Sequence, residues 1–190
     1  MRLRQLCCDP RLVYDDYRGD SCKIDMIWDL ISTSIDAGAK LLVFSQFTSF
    51  LSLIADKLDK EQVSFFELTG STPKDERIRL VGEFNRDDTP VFLISLRAGG
   101  TGLNLVGAQV VIHADPWWNV AAEDQATDRA HRIGQRSDVT VYKVICKGTI
   151  EERIVALQAK KADLADAIVG TGGGMGLASL AREDLIDLLG

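Results

Sequence analysis

Between residues 23 and 147, short runs of apolar, β-branched and aromatic side chains alternate with stretches of helical period, and few architectures accommodate that alternation. A run that is apolar at nearly every position leaves no face for water. It therefore reads as a strand covered on both sides, and such strands belong to parallel sheets whose crossover helices lie on the two faces. The fold class that follows is α/β.

The first helix carries Ile24, Ile27, Trp28, Ile31 and Ile35 on one face and stops at Gly38, a natural C′ residue. Residues 41–45 form the first strand. Thr48 is placed to cap a helix that buries Leu51, Ile54 and Leu58, and 63–68 reads as the second strand. Thr72 as cap, with Pro73 at the first helical position, opens a helix burying Ile78, Val81 and Phe84. The third strand, 91–95, runs into the glycine-rich turn Gly99-Gly100-Thr101-Gly102. A fourth strand over 110–113 ends on His113, read as closing a buried strand, and a fifth covers 140–146. Thr149 and Glu152 have capping-box spacing and start a helix that reaches Gly170. Residues 170–176 read as a glycine linker and 182–189 as a short amphipathic tail helix. The expected units are a flank over 1–22, the main lobe over 23–147, a helix over 148–169 and a linker with tail over 170–190.

With 190 residues, 46% hydrophobic and 26% charged, the chain is large enough for one full domain with flanking pieces. No apolar stretch approaches the ~18 residues of a membrane span, and Met1-Arg2-Leu3-Arg4-Gln5 lacks the apolar run of a secretory leader. The expectation is a cytosolic or nuclear protein with no membrane partner. Cys7, Cys8, Cys22 and Cys146 show no CxxC spacing and there are only two histidines, so neither a zinc site nor a disulfide framework is indicated. The cysteines read as reduced packing residues. A net charge of −6 argues against a protein that coats nucleic acid with its whole surface and leaves room for a local basic patch.

Open parallel sheets bind ligands beyond the carboxyl ends of their strands, which puts Ser45-Gln46-Phe47, Leu68-Thr69-Gly70-Ser71 and 95–102 on one rim. Glycines in the last of these let main-chain amides approach an anion, and Ser95, Arg97 and Thr101 add hydroxyls and a charge; the same residues also suit an ordinary strand-to-helix turn. The chain contains neither GxxxxGK[ST] nor GxGxxG. Arg129 and Arg132 are three residues apart, about 4.5 Å along a helix axis and on one face, with Gln125 one turn earlier. Two guanidinium forks so placed suit a polyphosphate. Flanked by Asp124 and Asp128, they equally suit a solvated, salt-bridged face. A phosphate-binding rim with paired arginines and no P-loop suggests half of a nucleotide site, the other half supplied by a second lobe.

Several runs together resemble the C-terminal RecA-like lobe of the Swi/Snf class of superfamily-two DNA-dependent ATPases. Leu42-Val43-Phe44-Ser45-Gln46-Phe47 is similar to the fourth helicase motif, and Leu68-Thr69-Gly70-Ser71-Thr72 to the segment after it. Residues 95–105 resemble the fifth motif. Asp115-Pro116-Trp117-Trp118-Asn119 and the run 125–135, which contains Arg129-Ala130-His131-Arg132-Ile133-Gly134-Gln135, resemble the sixth and its approach. Residues 148–154 are similar to the helix that braces this lobe. Val120 stands where the family usually has proline, and Asp9 where its Leu-Arg-Gln-x-Cys-x-His-Pro pattern has histidine.

The resemblance implies a RecA-like parallel sheet with a C-terminal brace helix. It implies a separate N-terminal RecA-like lobe holding ATP with magnesium, so that this chain is one part of an ATP-driven translocase on double-stranded DNA. Arg129 and Arg132 then act as arginine fingers, Gln125 orients them or the attacking water, and Gly100, Thr101 and Gly102 face the nucleotide. Gln46, Thr69, Gly70, Ser71, Arg97 and Thr101 are the expected DNA contacts by motif position. Trp117 and Trp118 pack near the cleft between lobes, His131 is a hydrogen-bonding helix residue, and Trp28 is core. The alternatives are a catalytically silent regulatory or partner-binding lobe and a strand-separating helicase. The tail resembles bacterial and archaeal members, which points to a cytoplasmic, nucleoid-associated protein, or a nuclear one in a eukaryote; the target is left open among nucleosomes, RNA polymerase and other DNA-bound proteins, with nucleosomes the less favoured.

Overall fold

The computed structural model describes residues 1–99, 103–117, 123, 126, 127 and 138–170, with the side chains of Arg97 and 161–170 outside the description. Helix α1 (Arg2–Cys8) and a single 3-10 turn (Pro10–Leu12) precede α2 (Cys22–Asp36). Then follow β1 (Leu41–Ser45), α3 (Thr48–Lys60), β2 (Phe65–Leu68), α4 (Lys74–Phe84), β3 (Val91–Ser95), the short α5 (Leu96–Gly99), β4 (Val110–His113), β5 (Thr140–Lys143) and α6 (Ile150–Gly170). The five strands form one parallel sheet in the order β2-β3-β1-β4-β5. It is a RecA-like α/β fold.

Strand periodicity divides the interior into two cores. From β1, β3 and β4, Leu41, Val43, Val91, Leu93, Val110 and Ile112 face α2 and α3, where Ile24, Ile27, Ile31, Phe50, Leu51, Ile54 and Leu58 meet them. Their neighbours Leu42, Phe44, Phe92, Ile94 and Val111 face the other way, against Leu80 and Phe84 of α4 and Leu96 and Ala98 of α5. Every residue of β1 and β3 is buried, whereas β5, on the edge, is exposed throughout. Gly38 has φ +72° and ends α2 with its N–H on Ile35 O at 2.8 Å, as the sequence suggests; a side chain there meets left-handed backbone strain.

Several local expectations are corrected. Thr48 does not cap α3 but is its first residue; the cap position is Phe47, whose ring has no acceptor to offer the helix, while its own N–H donates to Ser45 Oγ at 3.0 Å. Thr72 does not cap α4 either. Its Oγ1 turns back to accept from Thr69 N at 3.0 Å, which moves Pro73 to the cap position and the first helical residue to Lys74. Ile78, expected in the core, is 65% exposed, since it lies about 120° round the helix from Phe84. Leu80 takes its place. β2 begins at Phe65 because Gln62, at φ 59°, and Val63 N on Leu58 O at 2.9 Å belong to the turn that closes α3. β5 ends at Lys143: Val144 N still donates to His113 O, and then Cys146 N turns to Glu151 Oε2. Cys22 is exposed, not packed. Trp28 is half-buried at the edge of the first core, with Lys57 Nζ 5.3 Å from its ring centroid. The capping box at α6 is displaced by a residue, Glu152 Oε2 accepting from Gly148 N and Thr149 Oγ1 from Glu151 N. His113 does close a buried strand. The expected linker over 171–176 and tail helix over 182–189 lie outside the described residues. Among those described, no helix is long and apolar enough to cross a membrane.

One charged pair lies inside. Lys23 Nζ of α2 reaches both oxygens of Glu151 of α6 at 2.7 Å, each side chain 1% exposed, and Glu151 Oε2 also accepts from Cys146 N at 2.8 Å. Removing one member of such a pair strands a charge in the interior. Lys23→Met is therefore expected to destabilise the chain by about 3–5 kcal/mol in urea denaturation. The double variant Lys23→Met/Glu151→Gln, which neutralises both ends and keeps an acceptor for Cys146 N, is expected to be more stable than the single one.

Candidate functional site

The carboxyl ends of β1, β2 and β3 share one rim, and β1 and β2 send their chains to opposite faces of the sheet: α3 packs on the first core and α4 on the second. A crevice must open between loops that part in this way. It is a groove of about 790 Å³, lined from β1 and α3 by Gln46, Phe47, Thr48, Ser49 and Ser52, from β2 and the next loop by Glu67, Thr69, Gly70, Ser71 and Thr72, and from β3 by Ser95. Of the residues singled out from sequence as DNA contacts, Gln46, Thr69, Gly70 and Ser71 are thus brought together here.

The chemistry of the groove is that of hydroxyls and main-chain donors. Thr69 Oγ1 and Ser71 Oγ are 2.8 Å apart on the exposed side. Helix α3 begins at the groove without a side-chain cap and with no acidic residue in its first turn, so its first N–H groups and the positive end of its dipole are open to an anion, whereas the first turn of α4 carries Asp75 and Glu76. Gln46 is held from behind: its Nε2 donates to Asp115 Oδ2, and its N to Asp115 Oδ1 at 3.3 Å. Ser45 Oγ donates to the same carboxylate. Asp115 is 1% exposed, and burial pushes its carboxyl up to about 6, against the pull of the hydrogen bonds from Ser45 and Gln46. The protonated form is the one the fold favours. Relative to an exposed aspartate, that contribution to stability is present at low pH and is lost as pH rises through about 6.

Beside Asp115 a second buried carboxylate fixes the chain beyond β4. Glu123, 1% exposed, accepts from Trp117 N at 2.6 Å, Lys143 Nζ of β5 at 2.7 Å and Gln158 Nε2 of α6 at 3.3 Å, and Gln158 also donates to Trp117 O. Arg4 of α1 donates to Pro116 O, and its guanidinium lies 5.8 Å from the Phe47 ring and 6.0 Å from the Trp117 ring. Downstream, Ala126 is in the second core, and Thr127 Oγ1 is 3.0 Å from His113 Nε2. Sequence reasoning missed Arg4, Asp115, Glu123 and Gln158 as site-holding residues. The one available signal was a charge or amide inside or beside an otherwise apolar run.

Gly100, Thr101, Gly102, Gln125, Arg129 and Arg132 lie outside the described residues, as do Trp118 and His131. Arg97 lies on α5, with its side chain likewise outside. Among the described residues no group of three or more His, Cys, Asp or Glu side chains is placed to hold a metal ion.

Comparisons with known proteins agree with this geometry. Residues 22–134 match the helicase conserved C-terminal domain. An uncharacterised ATP-dependent helicase of Mycoplasma pneumoniae is 40% identical over 165 residues, which are 86% of this chain and 16% of that protein. The chain spans less than a fifth of the length of the curated relatives it first matches. Among solved structures, the SWI2/SNF2 ATPase C-terminal domain of Sulfolobus solfataricus superposes with a TM-score of 0.71 at 30% identity, over 98% of this chain and 77% of that one. The SWI2/SNF2 ATPase core from the same organism in complex with double-stranded DNA gives 0.73 at 33%, over 98% and 40%. The chain belongs to the helicase conserved C-terminal domain family, in its SWI2/SNF2 ATPase group.

Proposed function

We propose that this chain is the second motor lobe of an ATP-dependent translocase on double-stranded DNA, working opposite an N-terminal RecA-like lobe that holds most of the ATP and its magnesium. The observation that carries this reading is the groove at the carboxyl rim, where the start of α3, without a side-chain cap, meets a cluster of exposed hydroxyls. Such a surface suits the sugar-phosphate backbone and has little with which to read base edges. A motor that must pass over any sequence needs that kind of grip. Gln46, Thr69, Gly70 and Ser71, with Arg97 and Thr101, are its contacts in this proposal; the duplex core structure of a SWI2/SNF2 relative supports double-stranded DNA as the partner.

For the chemical step, ATP with magnesium supplies the phosphoanhydride bond whose hydrolysis drives movement. This chain's part is charge and orientation. Arg129 and Arg132 present two cationic forks to the terminal phosphates, Gln125 steadies them or the attacking water, and Gly100, Thr101 and Gly102 bring main-chain donors to the interface between lobes. This donor set of arginines, an amide and glycine-rich backbone fits a polyphosphate by its chemistry. The bonds of Glu123 to Trp117, Lys143 and Gln158 give the arginine-bearing segment a fixed foot. The protein works wherever its DNA lies, in the nucleoid or the nucleus, and a DNA-bound protein is the target its movement displaces.

In the complete protein, Arg132→Ala is expected to cut DNA-stimulated ATP hydrolysis by about 10³ to 10⁵-fold while the melting temperature is unchanged; wild-type turnover in that variant overturns the assignment. Displacement of a triplex-forming strand without separation of the duplex distinguishes the translocase from a strand-separating helicase. Because the chain carries a net charge of −6, it is expected by itself to bind duplex DNA weakly, with a shallow dependence on salt. Binding at micromolar concentration or tighter in physiological salt contradicts that.

A further inference from the structure

Arg77 of α4 does something unlike its neighbour on the same helix. Arg79 makes ordinary exposed ion pairs along the helix, to Glu76 and Glu83 at 2.6 Å. Arg77 instead points its half-buried guanidinium at main-chain carbonyls of two rim loops: Nε donates to Thr72 O at 2.7 Å, Nη2 to Gly70 O at 3.1 Å and Thr69 O at 3.3 Å, and Nη1 to Ala98 O at 3.5 Å. The first three carbonyls belong to the loop after β2 that lines the groove. The fourth lies on α5, just ahead of residues 100–102.

In a trans peptide the N–H points opposite to the C=O of the same plane, and every peptide bond in this part of the chain is trans. When Arg77 draws the Thr69 and Gly70 carbonyls to itself, it turns the amides of Gly70 and Ser71, which share those planes, away from itself. A cation on the oxygen also polarises the peptide and makes its N–H a better donor. Only a planar fork with five N–H groups spans acceptors on two loops; a lysine ammonium keeps the charge and loses the span.

We propose that Arg77 is a positioning residue for the response to DNA: it aims the Gly70 and Ser71 amides at a backbone phosphate and ties the loop bearing them to Ala98 of α5. The inference rests on the functional reading above. The experiment compares Arg77→Lys and Arg77→Met with the wild type in the complete protein, using a duplex of mixed sequence. The measurements are the half-saturating DNA concentration, the DNA-stimulated rate, KM for ATP, the melting temperature and amide exchange at Gly70, Ser71 and Ala98.

Both variants are expected to raise the half-saturating DNA concentration about tenfold and to lower the stimulated rate about tenfold, with KM for ATP within about twofold of wild type. Amide exchange at the three positions is expected to rise in Arg77→Lys without a fall in melting temperature. A lysine variant that behaves as wild type makes Arg77 a plain surface cation and overturns the proposal. So does a variant that melts lower while its half-saturating DNA concentration is unchanged. If Arg77→Met does not fold, Arg77→Lys and its exchange profile decide alone. A wild-type protein whose hydrolysis is not stimulated by DNA sinks the functional reading, and this inference with it; a stimulated wild type beside unaltered variants sinks this inference only.

Discussion

The rim depends on the position of β1. It pairs in parallel with β3 from Leu41↔Val91 to Ser45↔Ser95, and with β4 from Leu41↔Val110 to Phe44↔His113. A strand buried on both faces has no water for its main-chain polar groups, so both ladders must be complete, and their register is fixed by the alternation of side chains between the two cores. The carboxyl ends of the three central strands therefore stand level. Ser45 and Ser95 are neighbours across the sheet because the register leaves them no choice, and the loops that follow start from one line. Asp115, one residue past Ala114, whose N–H still donates to Phe44 O at 2.9 Å, reaches Ser45 and Gln46 from the adjacent strand. The geometry of the groove is a consequence of hydrophobic strands that never touch a ligand.

The electrostatics of that groove follow from what lines it. Glu67 is the one charged side chain among its described lining residues; the rest are hydroxyls, an amide, apolar groups and backbone. The open end of α3 is worth about 0.3–1 kcal/mol toward an exposed anion, and neutral hydroxyl bonds about 0.5–1.5 kcal/mol net. Several such contacts amount to a grip that is specific in geometry and shallow in energy. For the motor proposed above, shallowness is useful, because a phosphate held by a buried cation would have to be released at every step. The affinity that keeps the enzyme on its track then belongs to the two lobes acting together.

Much of this was legible in the sequence, for a physical reason. Runs such as 41–45 and 91–95 are apolar throughout because they are buried on both faces, and that leaves little besides a parallel sheet; Gly38 marks a helix end because left-handed backbone favours glycine. Local capping was legible less well. Thr48, Thr72 and Thr149 all look like caps, and Thr149 does cap α6 through Glu151 N, yet Thr48 is the first residue of its helix and Thr72 Oγ1 bonds Thr69 N, since a hydroxyl has several main-chain partners within reach and tertiary context chooses among them. Ile78 failed for a different cause: it lies about 120° round α4 from Phe84, and Leu80 and Phe84 set the buried stripe. Arg77 was invisible because its acceptors are carbonyls, which every residue has.

The buried charges pose a different question, since fully buried ion pairs are seldom a net gain over well-packed apolar groups. Lys23 with Glu151, the buried Glu123 with its exposed partner Lys143, and Arg4 on Pro116 O all converge on one corner, where α1, α2, β5 and α6 meet the chain leaving β4. Apolar packing there would serve stability at least as well, but it is not directional. A carboxylate accepting from Trp117 N, Lys143 Nζ and Gln158 Nε2 fixes where the main chain runs to within the tolerance of a hydrogen bond, which a greasy contact does not. Among the described residues of this stretch Trp117 and Ala126 pack on the second core, and the polar bonds add direction to that packing. The segment that follows carries Gln125, Arg129 and Arg132. If these are to meet a triphosphate held by another lobe, an error of about 1 Å at their base would cost on the order of 10²-fold in rate. The expense of burying these charges goes into the direction of the main chain at Trp117 and Glu123.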